Sequence, residues 1–262
     1  MTDLLVVGGG KMGEALIGGL LASGWADDAL AVVEPAESRR GALSEVFPGV
    51  RVVASLADAP AAPAALVAVK PDHVASVCRA LGDAGVKRIL SIAAGVRLDS
   101  IEAEVPEGTA VVRAMPNTPA MVGAGAAAIA AGMAATDEDL AWAEAVLGAV
   151  GTVTRVSESQ LDAVTGLSGS GPAYVFLVAE ALIDAGVLVG LARPVATELA
   201  IQTLLGASEL LASGSSPAEL RAAVTSPGGT TAAGLRALEA AGVRAAFSDA
   251  VVAATARSRE LG

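Results

Sequence analysis

Along the first 156 residues short apolar runs alternate with helix-length amphipathic segments, and from residue 157 onward that alternation stops. Leu4, Leu5, Val6 and Val7 run directly into Gly8-Gly9-Gly10, and residues 12–23 then carry apolar side chains at helical spacing before Gly24. This reads as strand, turn and helix. The same rhythm predicts strands over residues 29–33, 50–53, 65–69, 88–92, 110–115, 126–129 and 152–156. Between them it predicts helices over 38–47, 72–81 and 137–147, the last capped by Thr136. Strands separated by helices imply parallel βαβ units with right-handed crossovers. Beyond Ser157 residues 172–189, 194–212, 217–224, 231–240 and 243–261 read as helices, several with Pro in the first turn. The expected fold is an α/β N-terminal Rossmann-type dinucleotide-binding domain over residues 1–156, followed by an all-α domain over 157–262.

Residues 173–189 sharpen the picture of that second domain. Their only charges are Glu180 and Asp184, with Tyr174, Val175, Phe176, Leu177, Leu182, Ile183 and Leu188 around the rest. A helix apolar on nearly all faces has to be buried on all of them. About a hundred residues of helix can hardly enclose it alone, so the helical part is expected to be a dimerisation domain, most simply across a two-fold axis. The alternative is a monomer in which this helix lies under the nucleotide domain. A second uncharged stretch, residues 118–136, is mostly Ala and Gly, contains Pro119 and lacks the Leu, Ile and Phe that drive insertion into a bilayer. It reads as buried loop and strand.

Composition then narrows the function classes. The chain of 262 residues is 53% hydrophobic and only 2% aromatic, so its core must be built from Ala, Val and Leu through close, small contacts. Its formal net charge is −11, divided as 18 acids against 11 bases up to Arg155 and 10 against 6 after it. Without a Lys/Arg excess, a nucleic-acid or anionic-membrane partner is not expected. Cys78 is the one cysteine and His73 the one histidine, which excludes a disulfide framework and leaves no metal site to expect. They read as a small core residue and a solvated helix cap. The start, MTDLLVVGGG, lacks the basic and apolar regions of a secretory signal, so a cytoplasmic location is expected.

An acidic protein must hold anionic ligands locally, and the glycine turn offers the means. Gly8-Gly9-Gly10-Lys11-Met12-Gly13 matches G-x-G-x-x-G between a strand and a helix. The first glycine allows the tight turn, the second lets backbone approach a pyrophosphate, and the third lets helix and strand pack closely. The phosphates then meet free N–H groups at the helix N-terminus, Lys11 and Met12 included. Gly9 and Lys11 stand at positions that the fingerprint leaves free. At the end of the second strand, Glu34 suits the ribose hydroxyls of NAD, whereas Arg39 and Arg40 could reach the 2′-phosphate of NADP or be an exposed helix face. The cofactor is accordingly NADPH or NADH. Lys70, at a strand end on the carboxyl edge of the sheet, either lines the cofactor groove or is an ordinary exposed lysine. Ser226-Pro227-Gly228-Gly229-Thr230-Thr231 leads into another helix, so its backbone N–H groups form a second anion site of the same physical type. The plainer reading is a turn with Thr230 or Thr231 as an N-cap.

Five blocks make the chain specific: AVKP at 68–71, SIAAGV at 91–96, VVRAMPNTPA at 111–120, LSGSGPAY at 167–174 and VTSPGGTTAAGL at 224–235. In order and spacing they resemble pyrroline-5-carboxylate reductase over essentially the whole chain. The resemblance implies reduction of 1-pyrroline-5-carboxylate to L-proline by NAD(P)H, the final step of proline biosynthesis, in homodimers that often assemble to decamers. It implies that Ala68, Val69, Lys70, Pro71, Ala93, Ala94 and Asn117 face the cofactor, with Ser55 near the adenosine. It also implies that Ser226, Gly229 and Thr230 hold the substrate carboxylate, and that Thr231 reaches the ring nitrogen as the catalytic residue. A β-hydroxyacid-type dehydrogenase would share the glycine loop but needs a lysine early in the helical domain, and the last lysine here is Lys87. A non-catalytic dinucleotide-binding protein is the remaining alternative.

Overall fold

The run Leu4–Val7 becomes β1 of an eight-stranded sheet in the computed structural model of the protein, which describes residues 2–261. The chain continues through α1 (Lys11–Ala22), β2 (Leu30–Val33), α2 (Glu37–Val46), β3 (Arg51–Val53), β4 (Ala64–Val67), α3 (Pro71–Asp83) and β5 (Arg88–Ser91). It then forms α4 (Leu98–Glu102), β6 (Ala110–Met115), β7 (Gly125–Ala131), α5 (Asp137–Gly148), β8 (Gly151–Arg155) and α6 (Leu161–Val164). The strand order is β3-β2-β1-β4-β5-β6-β7-β8, with β1 and β4 paired in parallel, Leu4 beside Ala64 and Val7 beside Val67. Strand order therefore reverses beside β1, the place where open α/β sheets leave a crevice at the carboxyl ends of their strands. Along β1 the side chains alternate between two buried clusters: Leu4 and Val6 join α1, α2 and α5, while Leu5 and Val7 join α3, α4 and α6. That alternation with period two places helices on both faces.

Two expectations need correction. The strands are not all parallel, since β7 runs antiparallel to β6, with Val112 opposite Ala131. Only Pro116 to Ala124 separates them, in a short helical turn over Thr118–Val122, and so short a link cannot carry a parallel crossover. The same loop is buried only in part: Ala120 joins the core while Met121 and Val122 are exposed, and the strand after it supplies the buried Ala128, Ile129 and Ala130. Two short elements, α4 and α6, stand where the pattern predicted none, and a π turn at Thr165–Gly169 follows α6. Cys78 does lie in the core, where burial, with the Glu104 charge, pushes its thiol up to about 11.

The contacts divide the chain into two compact units. One holds the sheet and its helices together with the last turns of the chain, from Ala253 onward; the other is Gly171–Val252. The second unit contains α7 (Gly171–Leu188), α8 (Arg193–Ala212), α9 (Pro217–Ala223), α10 (Thr230–Ala240) and most of α11 (Val243–Leu261). Helices α7 and α8 form a hairpin through Gly190 (φ +104°), and Gly186 approaches Ala196 so closely that an added Cβ would lie 2.9 Å from the alanine Cβ. Small residues set this packing. Within one chain, however, α7 is not buried as its composition demands: none of its residues is buried, and Phe176 and Leu177 are 63% and 65% exposed. By length and composition alone, Glu158–Leu188 and Arg193–Ala212 are each apolar enough to cross a bilayer.

Candidate active site

Gly8, Gly9 and Gly13 of the first turn each answer to a contact, and Gly10 to an open space. Gly8 has φ +106°, and a Cβ there would lie 2.5 Å from the Ala68 carbonyl oxygen, so backbone meets backbone where β1 and β4 end. A Cβ on Gly13 would press on the Gly8 carbonyl oxygen, whereas one on Gly10 would meet no protein atom within 4 Å. The space above Gly10 is thus open, and α1 begins there without a side-chain cap; its first internal bond is Glu14 N–H to Gly10 C=O at 2.9 Å. The N–H groups ahead of it, on Lys11, Met12 and Gly13, have no helical partner. A turn that admits backbone-close approach and presents uncapped donors fits a pyrophosphate. Lys11 is exposed, while the Met12 side chain packs toward the core, so only its backbone serves the turn. Gly9, expected to be unconstrained, is not: a Cβ there would collide with Leu43, a fully buried side chain.

The other sequence-derived cofactor positions lie at successive strand ends. Glu34 follows β2 and is half-buried; its carboxylate accepts Gly9 N–H and Ala36 N–H, both at 2.9 Å. Ser55 follows β3, exposed, and its hydroxyl donates to Asp58 at 2.7 Å. After β4, Ala68 N–H donates to Val7 C=O at 2.8 Å, Lys70 is exposed as the N-cap residue of α3, and Pro71 opens that helix. After β5, Ala93 is buried and Ala94 exposed. After β6, Asn117 is buried, and its amide spans two elements: Nδ2 donates to Ser168 C=O at 3.0 Å and Oδ1 accepts Ala126 N–H at 2.8 Å. Its side chain therefore holds the fold together at the crevice edge. His73, on α3, is exposed, as a solvated position near a helix start should be.

Sequence reasoning missed the partners that tie this edge together. Arg39 on α2 donates to the Gly9 carbonyl and pairs with Glu14 of α1, contacts spanning about 25 to 30 residues that no local motif signals. Arg113, buried on β6, donates to Glu158 at 2.9 Å, and Leu98 N–H donates to the same carboxylate oxygen at 2.6 Å. The end of α11 reaches this region as well: Ser258, buried, donates to Asp162 at 2.7 Å. A cavity of about 510 Å³ opens there, lined by Pro71, Ala94, Thr165, Ser170, Arg257 and Ser258.

The second glycine turn, in the helical unit, is built like the first. Gly228 has φ +70°, Gly229 N–H donates to Ser226 C=O at 3.0 Å, and a Cβ on Gly229 would collide with the Ser226 hydroxyl. Gly229 is the N-cap residue of α10 and no side chain caps the helix, so the plainer alternative, Thr230 or Thr231 as an N-cap, does not hold. The first-turn N–H groups have no helical partner, and Thr231 is half-buried while Ser226 and Thr230 are exposed.

Comparison with known proteins follows the same division. A family model described as pyrroline-5-carboxylate reductase dimerisation matches residues 158–261, and one described as NADP oxidoreductase, coenzyme F420-dependent, matches residues 3–95. The pyrroline-5-carboxylate reductase of Synechocystis is 47% identical over 264 residues, which cover 99% of this chain and 98% of that protein. The structure of a pyrroline-5-carboxylate reductase from Coxiella burnetii superposes with a TM-score of 0.94 at 36% identity, covering 100% of this chain and 98% of its own. That of the Plasmodium falciparum pyrroline carboxylate reductase with NADP bound gives 0.85 at 30% identity, with the same coverage.

Proposed function

The chain belongs to the pyrroline-5-carboxylate reductase family, and from that premise we propose how its own residues carry the reaction. The protein reduces 1-pyrroline-5-carboxylate to L-proline with NADPH or NADH, and its helical part is a dimerisation domain. The open, uncapped turn at Gly10 is the observation that carries the assignment of the cofactor site.

Gly8, Gly10 and Gly13 shape that turn, and the N–H groups of Lys11 and Met12 hold the pyrophosphate. Glu34 receives the adenosine ribose and Ser55 stands near the adenosine. Ala68, Val69, Lys70, Pro71, Ala93, Ala94 and Asn117 line the nicotinamide half. When bound, the reduced nicotinamide supplies a hydride to the carbon of the cyclic C=N bond. Protonation at the ring nitrogen makes that carbon electrophilic and leaves a neutral secondary amine once the hydride is added. The protein's share is then positioning and anchoring rather than strong acid catalysis. Ser226, Gly229 and Thr230 hold the substrate carboxylate at the N-terminus of α10, where the helix dipole favours an anion. The Thr231 hydroxyl hydrogen-bonds the ring nitrogen.

Residues 1–156 thus serve the dinucleotide, and residues 157–262 the substrate and the subunit contact. A second copy covers the apolar face of α7, which accounts for its exposure in one chain without a bilayer. The assembly extends to a decamer of such dimers in the cytoplasm, with neither nucleic acid nor membrane as a partner. The assignment of the α10 turn is tested by Thr231→Ala. It should lower kcat by about tenfold or more while leaving the cofactor dissociation constant unchanged. Equal loss of both would make the turn merely structural.

A further inference from the structure

The end of β2 carries signals for both nicotinamide cofactors, and the structure engages them differently. Glu34 is fixed: each carboxylate oxygen accepts one backbone N–H, from Gly9 and from Ala36, at 2.9 Å. Each oxygen keeps acceptor capacity, which suits a pair of ribose hydroxyls. A 2′-phosphate would bring a dianion against an anchored carboxylate, and only a free arginine could offset that repulsion. Both nearby arginines are already engaged, Arg39 in an ion pair and Arg40 through its Nη1 alone. The Arg40 guanidinium donates to the carbonyls of Glu34 and Pro35, at 3.1 and 2.7 Å. The Arg39 guanidinium donates to the Gly9 carbonyl and pairs with Glu14, one residue past the glycine fingerprint.

We propose that the protein takes NADH in preference to NADPH, and that Glu14 is a positioning residue that sets this choice by holding Arg39 against the glycine turn, away from a 2′-phosphate. The proposal rests on the assignment of the β2 end to the adenosine ribose. Glu14 touches no cofactor atom in this arrangement; it acts through Arg39. The pair is partly exposed, at 30% and 34%, so it is weak enough to be released by one substitution.

The test compares kcat/KM for NADH and NADPH, together with the dissociation constants of the two dinucleotides. The wild-type protein should favour NADH by about tenfold or more. Glu14→Gln should raise the NADPH to NADH ratio by about three- to tenfold through the NADPH KM, with kcat unchanged. Arg39→Met in the otherwise wild-type chain should leave the ratio where it was, because Arg39 is already withheld. A wild-type preference for NADPH, an unmoved ratio in Glu14→Gln, or a selective loss of NADPH affinity in Arg39→Met would each overturn the proposal. Arg39→Met keeps the test decisive if Glu14→Gln fails to fold. The dissociation constants report the ratio without turnover, so failure of the reductase assignment itself would show separately, as absent proline with the ratio intact.

Discussion

At position 10 an added methyl group would meet nothing in the protein, whereas at position 13 it would press on a backbone carbonyl oxygen that cannot move aside. The two glycines of one motif therefore have separable roles. Gly10→Ala should keep its thermal midpoint yet raise the cofactor KM by about tenfold or more, since the methyl occupies the space a pyrophosphate needs. Gly13→Ala should instead cost about 1–3 kcal/mol of stability through overpacking. Thermal melts and cofactor titrations of both variants check the split, and equal destabilisation would contradict it. Gly8 and Gly13 are legible in sequence because a tight turn and a close helix approach are local demands. Gly9 is not, since the atom that excludes a side chain there belongs to Leu43, in another helix. Arg39 and Glu14 were equally hidden, because their pairing depends on how α1 and α2 meet.

Helix starts bear most of the chemistry at the scale of elements. Helices α1 and α10 begin uncapped after glycine turns, whereas α5 begins with a capping box in which Thr136 and Asp139 satisfy each other's groups. Helices α2, α3 and α8 also start without a side-chain cap, so it is the glycine turn ahead of α1 and α10 that opens their starts to an anion, whereas a capped start is a structural joint. Asp139 shows the second case. Burial alone would raise its carboxyl, but hydrogen bonds from the Thr136 backbone and hydroxyl, and then the Arg88 guanidinium, hold it below the ordinary carboxylate value. A lowered value means that its stabilisation is complete above the pH at which the unfolded carboxyl titrates and is lost as pH falls through the folded value. Asp139→Asn should cost about 1–3 kcal/mol at neutral pH and flatten the acid limb of stability against pH. Melting curves across that range check it. The capping threonine and the Pro-Gly-Gly turn were readable because capping chemistry is written within four or five residues. The antiparallel β7 was not, because an apolar run looks the same in either direction. Helix α4, five residues long, is too short for a period to show.

Over the whole molecule, the excess of small apolar residues separates two tasks. In the sheet unit they make a buried core on both faces, with Leu, Ile and Val fully enclosed. In the helical unit they leave an apolar surface that one chain does not cover, with Ala196 the one buried residue of α7 and α8. The composition of α7 announced a covered helix, yet the covering surface is absent from any single copy of the sequence. Phe176→Glu should therefore shift the assembly toward monomer in light scattering and lose turnover while cofactor affinity persists, as burying an unpaired charge in a subunit contact demands. An unchanged mass would place the interface elsewhere. The reductase reaction is read out by the rate at which the purified protein oxidises NADH or NADPH with 1-pyrroline-5-carboxylate, together with the proline formed. One L-proline should form for each cofactor oxidised; no oxidation with either cofactor, or oxidation without proline, would rule the reductase reaction out.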